Sequence, residues 1–344
     1  MDRVSKRKAG FLIGSGADMY RDSFRAIYTP EVIARIGALY ELDAEPVCID
    51  ELRRHAGRVA EWEVVFGNWG FPPLSGEELG HFCGLRHVFY AGGSVKAFAP
   101  RLLEAGIGVT SAKDINSRLV ADYCDALIYL ALKGHFQALR AYAEDRFAKK
   151  HLLTDKNFSG VDHGPVALIG FGAIGTLLAR RLVDRGIEVM VVDPYAEPRQ
   201  LRACRVSAVD LATAMGEARV VSNHLPDLDD LDGYFGAKQF KAMPPNATFI
   251  NTGRGRQVDH DVLFEIFSGR PDLTAILDVT TPISIPMDHP LRDLPNVILV
   301  PHIAGCVGRD LEKLAEPLID AAGRYERDGY PTVTESTADW AVMA

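Results

Sequence analysis

Apolar residues in this chain fall into short runs separated by helical patterns. Gly10–Ile13, Glu45–Ile49, Val64–Phe66, His87–Tyr90 and Gly108–Val109 read as strands, and helical spacing begins near Pro30, Ser75 and Lys96. That alternation predicts an α/β unit. From Ile115 to about Phe147 no proline intervenes, and Leu119, Tyr123, Ala126, Leu127, Leu130, Ala131 and Phe136 recur at helical intervals. One long helix is expected there, as a domain connection and a subunit interface. A polar stretch, 149–164, leads to a second series of strands: Val166–Ile169, Ile187–Val192, Val220–Ser222, Thr248–Asn251, Ala275–Leu277 and Val297–Val300. A final helix is expected from Arg309 to Arg327. It follows the last of these strands, so the only partner left for it is the N-terminal unit. The pattern predicts two doubly wound α/β domains, with residues 115–305 inserted into a domain built from residues 1–114 and 306–344.

The join after Val166–Ile169 carries Gly170-Phe171-Gly172-Ala173-Ile174-Gly175. Beyond it Ile174, Leu177, Leu178 and Leu182 keep helical spacing up to Gly186, and the next strand ends on Asp193. Strand, G-x-G-x-x-G, helix, strand and acid together make a dinucleotide-binding, Rossmann-type unit. The first glycine permits a tight turn, the second lets backbone approach a pyrophosphate, and the third lets the helix pack on the strand. The helix N-terminus then holds the negative charge. Asp193, 18 residues beyond Gly175, can take the adenosine ribose hydroxyls. It would repel a 2′-phosphate, which favours NAD over NADP unless Arg199 and Arg202 fold back over the ribose. An earlier Gly14-Ser15-Gly16 is a decoy: Met19 stands at the third glycine position, no helix with apolar spacing follows directly, and the segment reads as a plain exit from a strand.

Composition narrows the class. A chain of 344 residues suits two domains, and its 47% hydrophobic and 24% charged content is that of a soluble globular protein. A formal net charge of −8 argues against general nucleic-acid binding. The cluster Arg3, Lys6, Arg7, Lys8 reads as a solvated tail. Five cysteines without a C-x-x-C pair fit reduced thiols in a cytoplasm. No apolar run reaches the roughly 18 residues of a membrane span, and Phe11-Leu12-Ile13 is too short for a signal peptide. No metal site is expected, because His81 and His87 lack partners at ligand spacing.

In an open parallel sheet, ligands sit outside the carboxyl ends of the strands, so the first polar residues after each run carry the chemistry. They are Asp193, His224, Thr252 with Arg254, Asp278 and His302. The set suits reduction of a carbonyl by a nicotinamide. The planar fork of Arg254 matches the adjacent carboxylate and keto oxygens of a 2-oxo acid. His302 suits the proton step, since imidazole ordinarily titrates near 6.5. Gly92-Gly93, at the end of the strand His87–Tyr90, is either a nest of backbone N–H groups for a carboxylate or an ordinary turn. Trp69, on the loop after Val64–Phe66, either lines a pocket or fills a core.

The sequence resembles the D-isomer-specific 2-hydroxyacid dehydrogenases. The matching stretches are Gly92-Gly93-Ser94, Val120-Ala121-Asp122-Tyr123, Gly170–Gly175, Val192-Asp193-Pro194, His224-Leu225-Pro226, Ile250–Gly255, Leu277-Asp278-Val279 and Pro301-His302-Ile303-Ala304-Gly305. The resemblance implies a Rossmann NAD-binding domain inserted into a flavodoxin-like substrate domain, with a cleft between them and a homodimer joined through the NAD domains. It implies that Arg254 is the substrate arginine and His302 the acid/base. Asp278 would contact the nicotinamide side and Asp193 the ribose. Gly92, Gly93 and Ser94 would hold the substrate carboxylate. His224, Leu225, Pro226, Thr252, Gly253, Ala304 and Gly305 would complete the cofactor site.

One position departs from the family pattern. A glutamate that pairs with the acid/base histidine is expected four residues after Val279, and Ile283 stands there; Asp288 is the nearest carboxylate in sequence. Asp122 also replaces a frequent glutamate. Two readings follow: an NAD-dependent oxidoreductase acting on a small 2-oxo or 2-hydroxy acid (glyoxylate- or hydroxypyruvate-like, or larger), or an NAD(H)-binding sensor on the same scaffold. Survival of Arg254 and His302 favours the enzyme.

Overall fold

The computed structural model describes residues 6–15, 18–155, 160–161 and 164–328. Arg3, Gly16, parts of the polar stretch and the chain beyond 328 lie outside them. The chain forms two compact units: one from the described residues up to Asn116 and from Cys306 onward, the other from Ser117 to Gly305.

The first unit holds five parallel strands, β1 (Lys8–Ile13), β2 (Glu41–Cys48), β3 (Val64–Asn68), β4 (His87–Ala91) and β5 (Gly108–Ser111), in the order β2-β1-β3-β4-β5. This is the flavodoxin-like order. Both faces of β3 and β4 are buried, which is why these strands read as continuous apolar runs rather than alternating ones. One face packs Leu12, Trp62, Val65, Val88 and Phe98. The other packs the rings of Phe11, Phe24, Tyr28, Phe66 and Phe89. The terminal helix Ala315–Asp328 lies on this second face, with Tyr325 against His87 and Phe89. Arg35 grips Glu316 through both guanidinium ends at 2.6 and 3.0 Å. The chain's last described helix thus belongs to its first unit.

The second unit holds β6 (Val166–Ile169), β7 (Val189–Val192), β8 (Ser207–Ala208), β9 (Val220–Asn223), β10 (Thr248–Asn251), β11 (Thr274–Leu277) and β12 (Val297–Leu299), all parallel. The order is β12-β11-β10-β9-β6-β7-β8, and its direction reverses between β6 and β9. That reversal is the topological switch point where such sheets bind ligands. Ile169, Asn223, Asn251, Leu277 and Leu299 are successive register partners. The residues that follow them therefore leave the sheet along one edge.

Several expectations need correction. The long helix is three: Lys113–Leu132, His135–Glu144 and Ala148–Leu152. Gly134 breaks it at φ 73°, a left-handed conformation open to glycine. A helix, Asp18–Ile27, does follow Gly14. Among its described side chains, those of residues 20–27, only Ser23, Phe24 and Ile27 are buried, a stripe too thin to stand out in sequence. Of the N-terminal basic cluster, the described Lys6, Arg7 and Lys8 are no free tail: Lys8 starts β1 and pairs with Glu61, Arg7 pairs with Glu326, and Lys6 donates to Gly37 O. The strand β8 carries no apolar run and is fully exposed, and the segment Gly308–Leu314 is a 3₁₀ turn ahead of the final helix.

Candidate functional site

The glycine loop has three distinct physical demands. Gly170 sits at φ 98°, and a Cβ there would lie 2.7 Å from His224 O. A Cβ on Gly175 would lie 2.2 Å from Gly170 O, so the helix Ala173–Asp184 rests directly on the turn. Gly172 caps that helix, and beyond its immediate chain neighbours no described atom lies within 4 Å of the place its Cβ would occupy. Gly172 and Ala173 are exposed and Ile174 is half-buried. An exposed N-terminus of a 12-residue helix beside open backbone is a cradle for a pyrophosphate. Asp193 closes its far side, accepting from Phe171 N–H at 2.7 Å and Tyr195 N–H at 2.8 Å. These residues fit a dinucleotide. Gly172→Ala is expected to leave the melting temperature nearly unchanged yet weaken NADH binding, whereas Gly175→Ala is expected to destabilise the fold. Thermal melts with NADH titrations check both; equal effects of the two substitutions would contradict this division of roles.

His224 is buried, with Nε2 2.9 Å from Ser222 Oγ and Nδ1 3.2 Å from Thr252 Oγ1. Cys124 Sγ joins Thr252 Oγ1 at 3.4 Å, and burial pushes its thiol up to about 12. Both imidazole nitrogens are occupied, and burial drives His224 down to about 3 from 6.5. His87, buried against Thr110 Oγ1 in the first unit, is driven down equally. Between pH 6.5 and about 3 the unfolded chain binds protons that these folded sites refuse. Their stability contribution is therefore complete above pH 6.5 and is lost as pH falls, by at most about 1.4 kcal/mol per pH unit for each histidine. Denaturant midpoints should fall from about pH 7 to about pH 5, before most carboxylates titrate. A flat profile there would contradict it.

Arg254 stands on a loop locked by buried amides. Asn223 Nδ2 donates to Asn251 Oδ1 at 2.9 Å and to Gln257 Oε1 at 2.8 Å. Asn251 Oδ1 also accepts from Gly253 N–H at 3.1 Å, and its Nδ2 donates to Arg254 O at 3.1 Å. Gln257 Oε1 accepts the Arg254 N–H at 3.0 Å. A Cβ on Gly253 would lie 2.7 Å from Asn223 Nδ2. The network is satisfied on every side named, which is what makes a buried polar cluster rigid. Leu225 is buried and Pro226 half-buried beside it. The Arg254 side chain itself stays about a third exposed, with Nη1 donating to Gly253 O at 2.9 Å.

Asp278 follows β11 directly and holds the His302 loop. Its main-chain O accepts from His302 N–H at 2.9 Å, and its carboxylate accepts from Ile303 N–H at 2.7 Å and Ala304 N–H at 3.2 Å. Burial raises the Asp278 carboxyl above the ordinary carboxylate value, against the opposing pull of those N–H groups. His302 sits at φ 54°, a left-handed conformation uncommon outside glycine, and its side chain is exposed. The backbone bonds to Asp278 on either side maintain that conformation. Ala304 is buried and Gly305 half-buried. Thr280 Oγ1 donates towards Pro282 O and Ile283 O at 2.7 and 3.2 Å, and Ile283 is 82% exposed. A Cβ on Gly255 would lie 2.1 Å from the Thr280 carbonyl carbon, so this segment packs on the Arg254 loop.

In the first unit, Gly92, Gly93 and Ser94 follow β4. A Cβ on Gly92 would strike the Tyr90 ring at 2.6 Å, and Ser94 is exposed. Trp69 is half-buried and packs on the core of that unit. Asn223, Asn251, Gln257 and Asp227 join the site through contacts that sequence spacing does not mark. Asn223 and Asn251 are each the final residue of an apolar strand, one place before the polar positions selected, and that offset was the available signal.

The sequence profile of the "D-isomer specific 2-hydroxyacid dehydrogenase, NAD binding domain" matches residues 126–304, more than half of the chain. The D-3-phosphoglycerate dehydrogenase of Archaeoglobus fulgidus is 30% identical over 203 residues, 58% of this chain and 37% of that protein. The glyoxylate reductase of Korarchaeum cryptofilum is 28% identical over 228 residues, 66% of this chain and 68% of that protein. The chain thus spans only about a third of the first relative's length. The fold is also that of Rhodotorula graminis D-mandelate dehydrogenase (TM-score 0.75, 19% identity, 98% of this chain and 99% of that one). A phosphoglycerate oxidoreductase from Rhizobium etli gives TM-score 0.75 at 19% identity over 96% and 99% of the two chains. The chain belongs to the D-isomer specific 2-hydroxyacid dehydrogenase family and carries that family's NAD-binding domain.

Proposed function

We propose that the protein is an NAD-dependent oxidoreductase interconverting a small 2-oxo acid and its D-2-hydroxy acid. The observation that carries this reading is the shared sheet edge: the glycine cradle, the amide-locked Arg254 and the Asp278-anchored His302 all leave it together. When bound, the nicotinamide supplies the hydride. Arg254 pairs its guanidinium with the substrate carboxylate and keto oxygen, which fixes the plane of the acid and polarises the carbonyl. In the first unit, backbone N–H groups of the Gly92–Ser94 loop are suited to a carboxylate. Protonated His302 gives its proton to the keto oxygen in reduction, and neutral His302 takes it back in oxidation. Ile283 offers no carboxylate to this imidazole, so orientation of His302 rests on its backbone anchor.

Asp193 selects NAD by repelling a 2′-phosphate, since Arg199 and Arg202, both exposed, leave its carboxylate to backbone donors. The relatives' named activities, glyoxylate reductase and glyoxylate/hydroxypyruvate reductase, support glyoxylate and hydroxypyruvate as first substrates to try. A homodimer through the second unit is part of the reading: Tyr129, Leu130, Leu139, Tyr142, Phe147 and Leu153 are all exposed on its helical stretch. All five cysteines are free thiols, which supports a cytoplasmic setting, and no helix among the described residues is long and apolar enough to cross a membrane. The test is a panel of 2-oxo acids with NADH or NADPH, followed by nicotinamide absorbance. NADH-linked turnover of at least one acid supports the reading; tight NADH binding without turnover of any acid would overturn it.

A further inference from the structure

Arg254 is held by a side chain outside its own loop. Asp227, just after Pro226, places Oδ2 3.2 Å from Arg254 Nε. Its Oδ1 accepts from Arg256 Nε at 3.0 Å and Nη2 at 2.8 Å. Burial works against the Asp227 charge, but the bonds from Arg256 and Arg254 outweigh it and keep the carboxyl below its ordinary value. One buried glutamine registers the two loops: Gln257 Nε2 donates to Pro226 O at 2.7 Å while its Oε1 accepts the Arg254 N–H at 3.0 Å. Gly253 O takes one Nη1 proton. Of the five guanidinium protons, those on Nη2 and the second on Nη1 remain for an incoming acid.

We propose that Asp227 is a positioning residue for the 2-oxo acid site, fixing the Arg254 guanidinium through Nε so that its outer nitrogens are preset for the substrate. This rests on the reading of Arg254 as the substrate arginine. Two effects of opposite sign compete here. A carboxylate on the arginine repels the substrate acid, but it also removes rotamer freedom that binding would otherwise have to freeze. Asp227 is more than a third exposed and shares its charge with Arg256, so the repulsion is weak and screened. Fixing the fork wins, because a small displacement of a clamp is costly to a reacting pair.

The test uses the full chain with Asp227→Ala and Asp227→Asn, each alone and with Arg254→Lys, which has no Nε–H. The readouts are KM and kcat for the best 2-oxo acid, and the Kd of oxalate, an unreactive planar diacid, for the NADH-saturated protein. Asp227→Ala is expected to raise KM and the oxalate Kd about three- to tenfold, with kcat and NADH affinity changed less than about twofold. Asp227→Asn, which keeps an acceptor for Nε–H, is expected to fall between. In the Arg254→Lys background both effects should shrink below about twofold, since the mediator is gone. Asp232→Asn, at a carboxylate that pairs with Arg256 Nη1, should change none of these values. A lower KM or oxalate Kd in Asp227→Ala, or equal effects in both backgrounds, overturns the proposal. If wild type turns over no acid, the dehydrogenase reading fails while the oxalate titrations still decide the role of Asp227. No oxalate binding by wild type overturns both.

Discussion

His302→Asn is expected to lower kcat for 2-oxo acid reduction by about 10²- to 10⁴-fold, the usual worth of a positioned general acid. Asparagine is the informative replacement. It tolerates the left-handed backbone at φ 54°, where a larger non-glycine residue pays a conformational cost. The bonds from His302, Ile303 and Ala304 N–H groups to Asp278 are main-chain to acceptor and survive the change. Stability and NADH affinity should therefore stay close to wild type. Stopped-flow and steady-state rates, with thermal melts, check this. A variant retaining more than about a tenth of wild-type kcat would remove His302 from the proton step.

Arg254→Ala is expected to cut kcat/KM by about 10²-fold or more, because it removes a charge-assisted two-point clamp on the reacting acid. NADH affinity should change little, since the side chain touches Gly253 O and Asp227 rather than the glycine cradle. The loop should persist as well: Gln257 and Asn251 hold it through the Arg254 backbone N–H and O, which alanine retains. Arg254→Lys is expected to recover only part of the loss, because an ammonium cannot reproduce a planar fork. An equal fall in NADH binding would assign Arg254 to the cofactor instead.

Features legible in the sequence were those whose physical demand is local. Gly170 needs a positive φ, Gly172 an open approach and Gly175 a helix resting on the turn, and each demand is written in adjacent residues. Strands buried on both faces announce themselves as apolar runs, and β-strand register then brings the residues after them to one edge. What escaped depends on distant partners. The amide lock joins Asn223, Asn251 and Gln257 across three chain segments, and no spacing rule links them. Asp227 is one of several acids in a polar loop, and only the fold sets Arg254 and Arg256 beside it. The break at Gly134 is weakly signalled, since a glycine costs a helix far less than a proline does, and apolar spacing continues on both sides of it. The helix Asp18–Ile27 shows the converse: a helix in which, over residues 20–27, only three side chains are buried.

The proposed activity transfers hydrogen between C4 of the nicotinamide and C2 of a 2-oxo acid, with D configuration at the product. The most direct measurement incubates the protein with C4-deuterated NADH and the best 2-oxo acid of the panel. The product is then analysed by mass spectrometry and chiral chromatography. The expected product is a D-2-hydroxy acid carrying the deuterium at C2, formed in step with NADH loss. An L product, a product without the label, or NADH consumed with no hydroxy acid formed would contradict it.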